Sequence, residues 1–162
     1  MGFCKRYSVL SSYVGGSVQL PQYGHGTSNI WKKHDANEFS EKAEELFVDW
    51  AYKCEIEVVL KGGDDESLEK LYESLSKIEE LPCAKFNEPA MRGMCTVVTF
   101  VANERIISGV NFVRENRLNP RNVVETLTGT KVNHINKEEK DFVLSDDEIF
   151  VISQVAFLPL AS

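Results

Sequence analysis

The chain has 162 residues, 43% of them hydrophobic and 27% charged, a globular mixture long enough to bury one domain-sized core. Eighteen Lys and Arg against 25 Asp and Glu leave a formal charge of −7, which disfavours a long RNA partner, because basic side chains on phosphates supply most non-specific affinity. The longest apolar stretch, 149–161, is broken by Ser153, Gln154 and Pro159 and falls short of the roughly 20 residues a spanning helix needs, so no membrane partner is expected.

In chain order, Arg6 to Ser12 reads as a strand that ends at Gly15-Gly16-Ser17. Gln19 to Lys33 reads as a helix with Pro21 in its first turn, where proline is tolerated. Phe39 to Cys54 is a second helix, capped by Ser40 and striped by Ala43, Leu46, Phe47, Trp50 and Ala51. Ile56 to Leu60 is a β-branched strand closed by Gly62-Gly63. Asp64, Asp65 and Glu66 load the start of a third helix, striped by Leu68, Leu71, Tyr72, Leu75 and Ile78. Those three carboxylates lack the alternating spacing of a calcium loop and suit the helix dipole instead.

Cys83 to Asn87 is an edge-like strand, and Cys95 to Ala102 a strong one, rich in Val, Thr and Phe. Beyond Asn103 the pattern is weaker. Ile106 to Val113 reads as an extension of the sheet, Pro120 to Leu127 as a short helix, and 129–140 as a polar loop. Ser145 with Glu148 is a capping-box signature, so Asp146 to Phe157 is taken as a helix, with a strand as the alternative.

The expected fold class is therefore α/β, in one domain. Residues 5–103 form a β-α-α-β-α-β-β core, and 104–162 form a C-terminal extension that packs on the core or on a partner subunit, a homodimer included. Val58, Val59, Leu71, Leu75, Val97 and Phe100 are the expected core. No Cys-x-x-Cys pair exists among the four cysteines, which predicts no zinc and reduced thiols in a cytoplasm. The charged first residues are followed by no apolar run of the signal-peptide kind.

Three places are candidates for chemistry. Gly15-Gly16-Ser17, between a strand and a helix, is either an ordinary tight turn or a backbone that approaches an anion. Gln22 and His25, three apart on one helix face, either pack or share a ligand. Asn87-Glu88-Pro89, with Arg92 close behind, is either a surface turn or a carboxylate placed as a base.

Taken in order, these features resemble the type-two peptidyl-tRNA hydrolase family, in particular its small viral (bacteriophage) relatives. The resemblance covers about residues 5–103. It is carried by Tyr7 to Ser12; Gln22, Gly24 and His25; Val58-Val59-Leu60 ahead of an acidic helix start; Leu81-Pro82-Cys83-Ala84; and Thr96-Val97-Val98. The viral branch is similar further in Gly62-Gly63, Phe86-x-Glu88-Pro89 and the terminal Leu160-Ala161-Ser162.

The resemblance implies a mixed four-stranded sheet with helices on both faces. It also implies hydrolysis of the ester between a peptide and the tRNA 3′ ribose, with no metal and no cofactor. Residues 15–25 and 87–96 would converge on one site, with His25 and Glu88 catalytic and Gly15, Gly16, Ser17, Gln22, Asn87, Arg92 and Thr96 holding the ligand.

Two departures redirect this expectation. No Lys or Arg lies between Tyr7 and Trp31, where the family carries a first-loop lysine, and the family's Asp-Ala-Gly-x-Thr is Glu88-Pro89-Ala90-Met91-Arg92. They favour a viral protein repurposed to bind or cleave a small nucleotide, such as a cyclic-nucleotide immune signal of the host. A working peptidyl-tRNA hydrolase is the alternative.

Overall fold

The structure is a computed structural model that describes residues 3–161. Met1, Gly2 and Ser162, the last of the terminal tripeptide, lie outside the described residues.

Strand β1 (Lys5–Leu10) leads through a loop and a single 3₁₀ turn (Gly16–Val18) into helix α1 (Gln19–Asp35). Lys32, Lys33 and His34 fill the last turn of α1, where cations meet the negative end of the helix dipole. Helix α2 (Glu41–Asp49) is capped by Ser40, whose hydroxyl accepts from the Ala43 N–H at 3.1 Å. The helix expected to run on to Cys54 changes character first: its last turn, Trp50–Cys54, is π-helical and closes on Glu55 in the left-handed conformation.

Strand β2 (Glu57–Lys61) follows, then helix α3 (Asp65–Lys77), capped by Asp64 through the Ser67 N–H. Strand β3 (Cys83–Glu88), a 3₁₀ turn (Pro89–Met91) and strand β4 (Met94–Ala102) complete the first half.

The sheet order is β2-β1-β4-β3, with β1 parallel to β2 and antiparallel to β4, and β3 antiparallel to β4. This is the mixed four-stranded α/β sheet expected, with helices on both faces. Side chains alternate along each strand. One face carries Tyr7, Val9, Leu60, Val98, Phe100 and Ala102 into the main apolar cluster with Leu68, Leu71 and Leu75 of α3. The other carries Arg6, Ser8, Val97, Thr99 and Val101 toward α1, α2 and the π turn. Leu71, Leu75, Val97 and Phe100 are fully buried; Val58 and Val59 are only half-buried, because β2 is an edge strand.

Residues 106–113 are not a strand. They lie in helix α4 (Glu104–Glu115), capped by the Asn103 side chain, which accepts from the Ile106 N–H at 3.1 Å. Ile106, Ile107, Val110 and Val113 fall on one helical face and all bury, so packing overrides their strand propensity.

Helix α5 (Val123–Leu127) is followed by a two-stranded ribbon of β5 (Lys131–Val132) and β6 (Phe142–Val143), so the polar segment 129–140 is not all loop. Helix α6 (Asp146–Val155) opens on the Ser145–Glu148 capping box, and Glu148 also takes a two-pronged ion pair from Arg105 at 2.7 and 2.8 Å. Helices α4 and α6 join the main cluster, and the tail after α6 runs beside β2: Lys61 N–H donates to Pro159 O and Ala161 N–H to Val59 O. No helix among the described residues is long and apolar enough to cross a membrane.

The cysteines differ from expectation. Cys4 and Cys54 are disulfide-bonded, with Cα atoms 6.3 Å apart, while Cys83 and Cys95 are free and buried. Cys4 precedes β1 and Cys54 precedes β2. Parallel pairing in the register Arg6 to Glu57 brings those two chain segments together across 50 residues of sequence.

Candidate functional site

Four chain segments meet at one end of the sheet. The loop holding Gly15, Gly16 and Ser17 leaves the C-terminal end of β1, and Lys61 ends β2 opposite Leu10. Thr96 lies near the start of β4 and Glu88 ends β3. Where strands run parallel, ligands favour this end of a sheet.

Helix α1 crosses above it, close to β4, because Gly26 faces the sheet. A Cβ added at Gly26 would lie 3.1 and 3.2 Å from the two Val97 methyls. That approach carries Gln22, one turn earlier, into the strands.

Gln22 is buried, and its amide is used at both ends. Its Nε2 donates to Glu88 Oε2 at 2.8 Å, and its Oε1 accepts from the Thr96 hydroxyl at 2.5 Å. The chain Thr96–Gln22–Glu88 fixes which way the Gln22 amide points. Thr96 reaches it from a β-bulge: Asn87 faces Cys95 and Phe86 faces Val97, so Thr96 is the extra residue on β4.

The other Glu88 oxygen accepts from the Ala90 N–H at 3.1 Å, capping the 3₁₀ turn. The Gln22 amide, then the Ala90 N–H and the nearby His25, hold the Glu88 carboxyl below its ordinary value. Glu88 is thus a carboxylate at neutral pH, an acceptor or base and not an acid. His25 is exposed and lays its imidazole on the Phe86 ring, with centroids 4.2 Å apart and planes 18° from parallel. Gln22, His25, Glu88 and Thr96 are therefore brought together.

Asn87 is not. It is the neighbour of Glu88 on a strand, so it points to the opposite face, where its Nδ2 donates to Glu69 of α3 at 2.9 Å and to Gly93 O at 2.8 Å. Arg92 is exposed on a left-handed backbone (φ 57°) just past the 3₁₀ turn, and its side chain has no hydrogen bond or ion pair among the described residues. Gly15, Gly16 and Ser17 are exposed, and Gly16 has φ +56°, a conformation a side chain would strain.

Sequence reasoning missed Lys61. Its Nζ lies 3.9 Å from where a Cβ on Gly15 would stand, so an ammonium group sits against the glycine loop. The signal was there only in combination: a lysine at the last position of a strand that pairs in register with the strand feeding the loop.

A second polar constellation supports α1 from behind. The buried Arg6 guanidinium lies under the Trp50 ring (4.8 Å) and the Tyr23 ring (5.2 Å) and pairs with Glu57 at 2.8 Å. It also donates to the Tyr23 hydroxyl, which in turn donates to Glu57. Burial lowers the Arg6 pKa against the opposing pull of Glu57, yet the group stays charged at any physiological pH.

Among the described residues no three His, Cys, Asp or Glu side chains gather as a metal site. No model of a known protein family matches the chain, and no curated protein matches it.

Proposed function

We propose that this end of the sheet binds a small phosphorylated ligand of the nucleotide class, with a cyclic nucleotide of host antiviral signalling as the leading candidate. The observation that carries the reading is the Lys61 ammonium resting against the exposed Gly15-Gly16 loop. A cation beside glycine backbone, where no side chain blocks approach, suits a phosphate oxygen. The flat, exposed His25 imidazole offers a stacking or hydrogen-bonding face to a base or sugar, and Arg92, exposed and without a partner among the described residues, supplies a second cation. The net charge of −7 suits a compact anion held by a few placed cations better than a polymer wrapped on a basic surface. A viral origin and a host-signal ligand come from the resemblance alone.

If the ligand is cleaved, Glu88 is the base: ionised, oriented by Gln22, and next to an imidazole that can pass a proton. A specific observation also favours the second reading, ester hydrolysis on peptidyl-tRNA. Lys61 restores, from β2, the positive charge that the first loop lacks.

A thermal-shift screen against linear and cyclic mono- and dinucleotides and an aminoacyl-RNA mimic separates these readings, since a ligand of the folded state must raise the melting temperature. The nucleotide reading expects a shift with one nucleotide class that falls away in Lys61→Ala, whose affinity drops roughly tenfold to a hundredfold. Release of peptide from diacetyl-lysyl-tRNA at a rate that Glu88→Gln abolishes would favour the hydrolase. No shift with any nucleotide, together with no release of peptide, would reject both.

A further inference from the structure

The Cys4–Cys54 bond closes a loop of chain that contains β1, α1, α2 and the π turn. Gly15, Gly16, Ser17, Gln22 and His25 lie inside it, while Glu88, Phe86 and Thr96 lie outside. The bond sits at the far end of a continuous set of contacts leading to Gln22. Cys54 ends the π turn that begins at Trp50, and the Trp50 indole donates to Ile56 O at 3.1 Å while its ring covers Arg6. Arg6 holds the Tyr23 hydroxyl, and Tyr23 is the residue after Gln22 on α1.

The Nε and Nη1 of Arg6 are buried with no hydrogen-bond partner among the described residues, so the guanidinium depends on the two ring faces, Tyr23 and Glu57 to stay in place. Cys4 is buried in the apolar cluster of Phe47 and Trp50 and is also one of the residues lining a cavity of about 370 Å³, together with Phe3, Leu46 and Arg105.

We propose that the Cys4–Cys54 disulfide is a redox-sensitive staple that fixes the α1 half of the candidate site, and that a dithiol releases it. The thiolate of dithiothreitol attacks the Cys4 sulfur, the Cys4–Cys54 bond breaks, and Cys54 leaves as a thiolate that takes a proton from water. The second thiol of the reagent then attacks the mixed disulfide, frees Cys4 and closes the oxidised ring. Two electrons pass from the dithiol to the protein. The π turn, no longer tied to β1, loosens Trp50 over Arg6, and the restraint on Tyr23 and Gln22 relaxes with it. This inference stands on the disulfide and the Arg6 contacts, and it holds whichever ligand the site takes.

The test is amide hydrogen exchange on the full chain, with and without dithiothreitol, beside a Cys4→Ser/Cys54→Ser variant. Reduction is expected to lower the melting temperature by on the order of 10 °C, since the bond closes a long loop. It should raise exchange in 17–35 and 50–57 while leaving α4 and α6 near their original rates. The double variant should match the reduced protein and ignore the reagent. Four titratable thiols in protein purified without reductant would overturn the proposal. So would equal loosening of α1 and α6, or unchanged exchange in α1 after complete reduction.

Discussion

The two faces of the sheet are built on opposite principles. The face under α3, α4 and α6 is apolar at its centre, with Lys85 and Asn87 paired to Glu69 only along the β3 edge: Tyr7 stacks on Phe100 with centroids 5.4 Å apart, and Leu68, Leu71, Leu75, Ile106 and Ile152 fill the space behind them. The face under α1 buries Arg6, Ser8, Gln22, Thr96 and Thr99, and each has a polar partner: Ser8 and Thr99 bond within the sheet, while Arg6 to Tyr23 and Thr96 to Gln22 reach across to α1. Burying such groups costs free energy unless they are paired, so this face contributes less to stability and more to specifying one arrangement. The candidate site grows out of the second face. Its buried polar chain, Thr96 to Gln22, ends in the solvent-reaching Glu88 carboxylate.

Truncating the apolar face should cost most. Phe100→Ala is expected to lose about 3–5 kcal/mol, read as a fall in the urea midpoint with the cavity left by the ring. On the polar face Glu57→Gln leaves the Arg6 charge under two rings without its counter-ion. Glu57 is 35% exposed, so water compensates in part and the loss should be about 3 kcal/mol, at the low end for a broken buried pair.

Gly26→Ala should cost about 1–3 kcal/mol by pressing a methyl into Val97, and it should also weaken ligand binding by lifting Gln22 from Glu88. If it destabilises without touching binding, α1 does not position the site.

The smallest effect is a pH dependence. The folded Glu88 carboxyl titrates below its ordinary 4.5, so its contribution is present above that value and is lost as pH falls through the folded one. Wild type and Glu88→Gln should therefore differ in stability at pH 7 and converge once the pH has fallen below the folded value. A gap that persists in acid would mean that the ionised carboxylate is not what Gln22 holds.

The same contrast decides what was legible in the sequence. The apolar face writes itself into periodicity: the leucines of α3 and the Val-Thr-Phe run of β4 need no partner to be recognised. The helix α4 was misread because Ile106, Ile107 and Val110 favour strands in isolation, although Asn103 followed by Glu104 was a capping signal in plain view.

The polar face is written in pairs between distant residues. Cys4 with Cys54, Arg6 with Glu57 and Gly15 with Lys61 all follow from one fact, the parallel register of β1 on β2, which no local pattern encodes. Gln22, His25 and Glu88 were accessible as candidates because their residue types and spacing suit chemistry. Asn87 stands apart from them, and strand alternation alone sets it opposite Glu88.

The competing location for a ligand is on the other region of the molecule, a concavity of about 490 Å³ between α4 and the β5–β6 ribbon, lined by Asn111, Glu115, His134 and Asp141 among others. Backbone amide NMR of the labelled full chain, titrated with cyclic and linear nucleotides, distinguishes the two directly. The account predicts shifts at Gly15, Gly16, Ser17, Lys61 and the Gln22–His25 turn, with the α4 concavity silent. Perturbations confined to 108–115 and 133–141, with the glycine loop unmoved, would contradict it.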